Sequence, residues 1–364
     1  MRWLLVVWVL SFAGASLFLG ARLLRLARER FADAQPLAAS EQLSLRGRQY
    51  VVDDRVGWRP RANVTVGNPI ESLDGRVRRS FLRHHNNWGL IETDDFAGPP
   101  SKPAVLLLGD SHLMGIVSNE ENASQLLQRF LRERPGRGSA TVVNAASGNY
   151  SLYQYYLRAR SLGDRIDPNL FLVVVFAGND FYELEDPTRP HLDDQRSEAP
   201  AGTGASPEQT RQRLARLRVP ARNVELIHQG LNQASYLESR PERFPVVLAK
   251  AARAAELLGA LAAEQGARCL FVLLPSFDMV FPEQARLLGP EVAALVAAQW
   301  NPRLHDAFLA ELAARGLDAM TVLPAFLDHR DRMLYAGDYH IWQDGHAVLE
   351  AAIRERVASL LAPR

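Results

Sequence analysis

From Ala104 onward the chain alternates short, continuous apolar runs with longer stretches of helical periodicity, and this alternation limits the possible folds most strongly. Strands that are apolar on both faces are typical of a parallel sheet covered by helices on both sides. The sequence therefore predicts an α/β fold with three layers, helix, sheet and helix. The predicted strands are 104–108, 140–143, 170–176, 269–274 and 320–323. The predicted helices are 123–134, 152–162, 246–265 and 345–361, and a long helical region is predicted at about 283–315.

The charges of the chain are balanced, with 42 Lys+Arg against 41 Asp+Glu, and 47% of the residues are hydrophobic. This balance argues against a nucleic-acid-binding protein and against a disordered chain, so we expect no nucleic-acid partner. The only cysteine, Cys269, excludes an intrachain disulfide and any multi-cysteine metal site. The His84–His85 pair has no carboxylates at ligand spacing, so we expect no metal.

The segment Trp3–Ala21 contains no charged residue and is close to the ~20 residues that a helix needs to cross a membrane. Its apolar core is longer than the roughly 7–15 residues of a signal peptide, and a good cleavage site is missing. We therefore predict a retained transmembrane anchor whose amphipathic, arginine-rich extension ends at residue 31. A cleaved signal peptide and a buried core helix are the alternatives.

Three regions follow from these patterns. Residues 1–31 form the anchor and its extension, residues 32–103 form a proline-rich connecting region of short strands and loops, and residues 104–364 form the main domain. An insertion at about 184–245 interrupts the main domain, and its Ala/Gly/Ser/Pro-rich part, 198–207, is typical of a surface excursion or a lid.

Polar residues follow the first three predicted strands, at the edge where open parallel sheets place their sites. Ser111 follows the first strand on the turn Gly109–Asp110, where it could be a nucleophile or a helix cap. Gly148 and Asn179 follow the second and third strands. Their N–H groups could hold an oxyanion, although Gly and Asn are also common turn residues.

Two Asp-x-His pairs follow the last predicted strand, Asp338–His340 and Asp344–His346. An aspartate beside a histidine can orient the imidazole and stabilise its cation while the imidazole deprotonates a serine. Either pair could serve Ser111.

In this order, Gly109-Asp110-Ser111, Ser147-Gly148-Asn149, Gly178-Asn179-Asp180 and the Asp/His loop resemble the four sequence blocks of the SGNH (GDSL-type) hydrolases, over about residues 104–361. The resemblance implies a flavodoxin-like fold and a hydrolase that needs no cofactor. It implies that Ser111 is the nucleophile, that His340 is the base and that Asp338 orients it. It also implies an oxyanion hole made by the Ser111 N–H, the Gly148 N–H and the Asn179 side chain.

The chain departs from the family's usual last block, because Asp-x-His replaces Asp-x-x-His. We prefer Asp338–His340, since the pattern resembles an acetyltransferase-like branch in which a Gly-His pair opens the last helix. Under this interpretation Asp344 caps that helix and His346 packs in the core. Trp342 stands where the family often has Asn. The segments 57–60 and 86–90 loosely resemble the leader of membrane-attached bacterial members.

We therefore expect a serine ester hydrolase that works through an acyl-serine on O-acyl groups of a cell-envelope glycan, with an acylated carbohydrate or a small ester as its substrate. The same residues would serve an O-acyltransferase, and a non-catalytic glycan-binding module is the alternative. Envelope substrates require a domain outside the cytoplasm, in the periplasm. Arginines 22, 25, 28 and 30 favour the opposite side by the positive-inside rule, although long domains translocate largely regardless of such charge.

Overall fold

The structure is a computed structural model that describes residues 49–186, 190 and 230–362. The predicted anchor and most of the predicted insertion lie outside these residues. Within the described ranges, no helix combines the length and the apolar character that a membrane span requires. The described residues all belong to one compact unit that begins at Gln49.

Nine strands and eleven helices are assigned within the described ranges. The strands are β1 (Tyr50–Asp53), β2 (Gly57–Pro60), β3 (Val64–Glu71), β4 (Arg78–His85), β5 (Ala104–Leu108), β6 (Thr141–Asn144), β7 (Leu170–Phe176), β8 (Arg268–Leu274) and β9 (Ala319–Thr321). The helices are α1 (Ser111–Met114), α2 (Ala123–Arg132), α3 (Leu152–Ile166), α4 (Asn232–Ser239), α5 (Phe244–Glu264), α6 (Phe277–Val280), α7 (Pro282–Arg286), α8 (Pro290–Ala298), α9 (Trp300–Ala314), α10 (Leu323–Asp328) and α11 (Gln343–Leu360). Short 3₁₀ turns lie at Asn119–Glu121, Tyr182–Glu185 and Pro241–Arg243.

The central sheet consists of β5 to β9, all parallel, in the order β6-β5-β7-β8-β9. Every residue of β5, β6 and β7 is buried, as expected for strands that are covered on both faces. Counted within this sheet, the order is 2-1-3-4-5, which is the flavodoxin-like arrangement. The predicted α/β class with a parallel sheet is confirmed.

The helices cover both faces of the sheet. Along the sheet, β6 lies on one side of β5 and β7 lies on the other side. The connection from β5 to β6 therefore runs in the direction opposite to the connection from β6 to β7. Since crossovers between parallel strands are right-handed, α2 and α3 lie on opposite faces. Helices α5 and α9 continue the layer of α3, and α11 packs against α2.

Most of the predicted boundaries agree with the structure to within two residues, and the helical region predicted over about 283–315 consists of three separate helices. This stretch forms α7, α8 and α9. Pro290 begins α8 because a proline fits the first turn of a helix better than its interior. Gln299, in the left-handed region at φ 56°, then separates α8 from α9.

The described part of the predicted connecting region contains two antiparallel hairpins, β1–β2 and β3–β4. Trp58 of β2 packs against the buried ring of Tyr150, which lies between β6 and α3. The first hairpin therefore reaches the carboxyl edge of the central sheet.

Candidate active site

Ser111 is the first residue of α1, immediately beyond β5. Asp110 caps this short helix, because its Oδ1 accepts the His112 N–H at 2.9 Å. Ser111 is therefore not the cap. A Cβ at position 109 would lie 2.8 Å from the Leu113 side chain, so glycine permits the tight approach of the turn to the helix.

His340 joins Ser111 to Asp338. Its Nε2 lies 3.0 Å from the Ser111 Oγ, and its Nδ1 lies 3.1 Å from the Asp338 Oδ2. Asp338 also accepts the His340 backbone N–H, at 3.2 Å through Oδ1. The structure thus brings together the serine, the histidine and the aspartate of the preferred pair.

The loop that carries His340 is folded back on itself. Tyr335 and Ile341 form an isolated antiparallel bridge, and the Ala336 N–H donates to the His340 carbonyl at 2.9 Å. Tyr339, at the tip, adopts a left-handed conformation with φ 65°. The Trp342 N–H donates to the Leu334 carbonyl at 2.8 Å, and this backbone hydrogen bond helps to close the loop.

The second pair is placed differently. His346 is completely buried, and its Nδ1 accepts the Ala123 N–H at 3.3 Å. Burial, with a smaller contribution from His340, lowers the pKa of His346 to about 3, so it is neutral. His346 packs in the core, as the preferred interpretation predicts.

The prediction that Asp344 caps the last helix is wrong. Helix α11 begins at Gln343, so its N-cap is Trp342 and Asp344 lies within the first turn. The Asp344 carboxylate instead accepts the Met333 N–H at 3.2 Å and ties the preceding loop to the helix.

Gly148 and Asn179 lie beyond the ends of β6 and β7. Within the described ranges, the N–H groups of Ser111 and Gly148 donate to no backbone carbonyl. The Asn179 Nδ2 donates to the Glu183 Oε1 at 2.9 Å, and its Oδ1 is buried there without a hydrogen-bond partner. One hydrogen of the Asn179 amide is therefore held by Glu183, and the other is left for a ligand.

His112, which was not predicted as a site residue, lies beside His340. The His112 ring stacks on Phe176 with the ring centroids 3.5 Å apart, and it lies 4.8 Å from the His340 ring. Its Nδ1 accepts the Ile341 N–H at 3.3 Å. Burial lowers the pKa of His112 well below its usual range, so a neutral imidazole supports the loop that carries His340.

Asp110 contacts the Ser111 hydroxyl in addition to capping the helix. Its Oδ2 lies 3.4 Å from the Ser111 Oγ, farther than the His340 Nε2. Burial raises the pKa of Asp110 to about 6, while the His112 N–H and His340 act in the opposite direction. The adjacency of Asp110 to Ser111 in the sequence was the one available signal.

The first hairpin contacts the loop of Gly148. The Trp58 Nε1 donates to the Gly148 carbonyl at 3.2 Å, and Tyr150 donates to the Trp58 carbonyl. A Cβ at position 148 would lie 2.6 Å from the Tyr50 hydroxyl. A side chain at position 148 would therefore require the Tyr50 hydroxyl or the loop to move, a constraint that turn statistics do not reveal.

Within the described ranges, no group of three or more His, Cys, Asp or Glu side chains is arranged to hold a metal ion. His85 is completely buried, its Nε2 accepts from the Arg83 Nε at 3.3 Å, and burial lowers its pKa to about 3.

No protein-family model matches the chain, and the search of curated proteins gives no match. Among solved structures, an alpha/beta hydrolase enzyme from the metagenome of Lake Arreo, Spain, is similar over 72% of this chain and 98% of its own, with 13% identity and a TM-score of 0.39. A lipase/acylhydrolase from Enterococcus faecalis is similar over 72% and 98%, with 15% identity and a TM-score of 0.37. An acetylxylan esterase from Geobacillus stearothermophilus is similar over 73% and 96%, with 9% identity and a TM-score of 0.39.

Proposed function

We propose that the chain is a serine ester hydrolase in which Ser111 is the nucleophile, His340 is the general base and Asp338 orients the base. The observation that carries this proposal is the continuous hydrogen-bonded row from the Ser111 Oγ through both ring nitrogens of His340 to the Asp338 carboxylate, with distances of 3.0 and 3.1 Å. Serine alone is a weak nucleophile, and this arrangement is the one that activates it.

The contacts of the two His340 ring nitrogens suit the following proton transfers. With Nδ1–H donated to Asp338, the free Nε2 lone pair of His340 faces Ser111 and takes its proton as Oγ attacks the ester carbonyl. The imidazolium then gives this proton to the leaving alkoxide, and an acyl-serine remains. Water repeats the sequence, with His340 as its base, and releases the acid and the free serine.

The tetrahedral intermediates carry a negative oxygen that needs donors. The Ser111 and Gly148 N–H groups and the second Asn179 amide hydrogen are the donors that we assign to it. Asn179 is suited to this role because the hydrogen bond from its Nδ2 to the Glu183 Oε1, at 2.9 Å, fixes the orientation of the amide before the reaction begins.

Covalent labelling of the purified full-length chain tests the assignment. A fluorophosphonate probe should add to Ser111, as read by peptide mass spectrometry, and Ser111→Ala should remove both the label and p-nitrophenyl acetate hydrolysis. Asp344→Asn is the matched control for Asp338→Asn, because only Asp338 contacts His340. Absence of labelling in the folded wild-type protein would instead favour the non-catalytic glycan-binding module.

For the substrate, we propose O-acyl groups of a cell-envelope glycan. The predicted membrane anchor and the Asp-x-His block support this substrate class. An O-acyltransferase would use the same acyl-serine, with a sugar hydroxyl as the acceptor in place of water. Acetate release from O-acetylated glycan, measured with and without a neutral oligosaccharide acceptor, separates the two. Hydrolysis predicts free acetate in both samples, whereas transfer predicts acetylated oligosaccharide.

We place the catalytic domain on the periplasmic side of the membrane, where such glycans lie. An alkaline-phosphatase fusion after residue 40 tests this placement, since alkaline phosphatase folds only where disulfides form. Activity is expected, and an inactive but expressed fusion would put the domain in the cytoplasm.

A further inference from the structure

Arg158 occupies a position in α3 that suits an apolar residue. The residues one turn before and after it, Tyr155 and Leu162, are both buried, and only 3% of Arg158 is exposed. Within the described ranges its Nε and Nη2 have no hydrogen-bond partner. Buried N–H groups of a cation are unfavourable unless they are paired, so a partner for Arg158 is expected.

The other fully buried arginine near the site shows the usual arrangement. Arg83 donates to the His85 Nε2 at 3.3 Å, to the Gly115 carbonyl and to the Gln49 Oε1 at 3.4 Å. Each of its nitrogens therefore has an acceptor in the chain, whereas two of the nitrogens of Arg158 have none among the described residues.

Arg158 lines a cavity of about 540 Å³ between the first hairpin and α3. Three further arginines line it, Arg55, Arg59 and Arg165, against two carboxylates, Asp53 and Asp54. The cavity wall therefore carries an excess of positive charge.

Asp53, one of the two carboxylates, already has partners within the hairpin. The Asp53 Oδ1 accepts the N–H groups of Arg55 and Val56 at 3.0 and 3.1 Å, and its Oδ2 lies 3.3 Å from the Arg59 Nε. Burial lowers the pKa of Arg158, and the charges of Arg59 and Arg165 lower it further by a smaller amount. Tyr150 and Asp53 act in the opposite direction and raise this pKa. A bound anion would act in the same direction as Asp53 and would offset the repulsion.

We propose that this cavity is a binding site for an oxyanion group, a phosphate or a carboxylate, with Arg158 as its buried donor and Arg165 at its rim. The planar guanidinium fork matches both groups in a bidentate manner once the Arg158 side chain turns its Nε and Nη2, which are themselves buried, towards the cavity. The Arg165 guanidinium is stacked 3.8 Å from the centroid of the Trp88 ring, which limits its freedom before a ligand binds. The volume lies within the ~300–1,000 Å³ of small-molecule sites, so the cavity has room for a ligand larger than one phosphate.

Binding to the full-length chain tests this site. Isothermal titration calorimetry with inorganic phosphate and with trigalacturonate, at constant ionic strength, is compared between wild type, Arg158→Gln, Arg165→Gln and Arg160→Gln. Arg160 is the matched control, because it is exposed on the same helix and does not line the cavity. We expect Arg158→Gln and Arg165→Gln each to weaken binding about tenfold or more, and Arg160→Gln to leave it unchanged.

The outcomes are distinct. Tighter binding of trigalacturonate than of phosphate, sensitive to both variants, supports an acidic glycan as the source of the oxyanion, and the reverse supports a small phosphorylated ligand. If neither probe binds the wild type, or if all four proteins bind equally, the site is overturned. If Arg158→Gln fails to fold, the binding affinity of the Arg165→Gln variant, whose substituted residue is exposed, tests the proposal by itself. Maltotriose, which lacks an anionic group, should not bind, and equal binding of maltotriose and trigalacturonate would also overturn the proposal.

Discussion

His340 and His346 are the histidines of the two Asp-x-His pairs, and the partners of their ring nitrogens distinguish a proposed base from a packing residue. His340 has one nitrogen beside the Ser111 hydroxyl and the other beside the Asp338 carboxylate, so it can accept a proton and its cation can then be stabilised. His346 receives a backbone N–H on Nδ1 and has no carboxylate beside it among the described residues. The buried imidazole cannot become charged at ordinary pH, because burial lowers its pKa to about 3.

This difference predicts opposite effects of two alanine substitutions. His340→Ala should lower kcat on p-nitrophenyl acetate by roughly 10⁴-fold or more with little change in Tm. His346→Ala should cost about 1–3 kcal/mol of unfolding free energy and retain most of the activity of the folded fraction. Steady-state kinetics and thermal unfolding of both variants test these two effects. An inactive but stable His346→Ala variant would show that His346, and not His340, is the base.

Glu183 is expected to act through Asn179 and so to be a positioning residue. A carboxylate only accepts hydrogen bonds, so it holds the Asn179 amide with Nδ2 towards it. Glu183→Gln can present either an oxygen or an NH₂ group, so kcat should fall about tenfold while KM changes little. In an Asn179→Ala background the same substitution should have no further effect. Additive losses in the double variant would show that Glu183 acts independently.

At the scale of elements, the first hairpin is expected to protect the loop of Gly148. Gly148→Ala would bring a methyl group within 2.6 Å of the Tyr50 hydroxyl, which otherwise donates to the Met114 sulfur at 3.3 Å. Activity should therefore fall about tenfold or more, because the Gly148 N–H is displaced. Tyr50→Phe removes the obstructing oxygen and should restore part of the loss in the double variant. Tyr50→Phe alone is the control, and an unrepaired double variant would mean that the backbone of residue 148 itself requires glycine.

Another contact between elements predicts a pH-dependent stability. Glu92 receives the Asn144 N–H at the end of β6 and the Gln125 amide of α2, both at 2.7 Å. Burial nevertheless raises the pKa of Glu92 to about 8 from 4.5, and the two donors only reduce this shift. The folded chain thus binds more protons than the unfolded chain between these values, and stability falls as pH rises through that window.

Glu92→Gln imitates the protonated acid and should remove part of this fall. We expect its Tm to exceed that of the wild type at pH 9 and to differ less at pH 5, as measured by thermal unfolding across the range. Glu133→Gln, on the exposed end of α2, is the control and should follow the wild type. Parallel curves for wild type and Glu92→Gln would show that Glu92 is charged in the folded chain.

The sequence predicts those elements in which local pattern and tertiary environment agree. Strands β5 and β7 were predicted to the residue because both are apolar throughout and end at Gly109 and at Ala177–Gly178, where the pattern stops. The Asp338–His340–Ser111 row was predicted because each member belongs to a motif. The contact of Trp58 with Gly148 joins residues 90 positions apart, and no local pattern encodes it. The partner of Asn179 was missed because a glutamate in a short turn is usually solvated.

At the scale of the whole molecule, the balanced charge of +1 conceals local asymmetry. The cavity beside α3 gathers four arginines, whereas buried acids, Asp110 and Asp180 among them, lie at the carboxyl edge of the sheet. Burial raises the pKa of both acids, and the repulsion between them adds to the shift of Asp180. The first hairpin contributes to both regions, through Tyr50 at Gly148 and through Arg59 at the cavity. A ligand that occupies the cavity would therefore contact the element that covers the glycine loop.

The whole chain is also where the predicted anchor can be tested. About 19 uncharged residues from Trp3 to Ala21 can span the hydrocarbon core as a helix, so the full-length protein should sediment with membranes and resist a carbonate wash. A chain that begins at residue 32 should remain in the supernatant, with the same kcat on p-nitrophenyl acetate, because the described site uses only residues after Gln49. Mass spectrometry of the N-terminus separates the alternatives, since an anchor keeps residues 1–31 and a cleaved signal peptide gives a shorter, soluble chain. A soluble full-length protein with an intact N-terminus would exclude both.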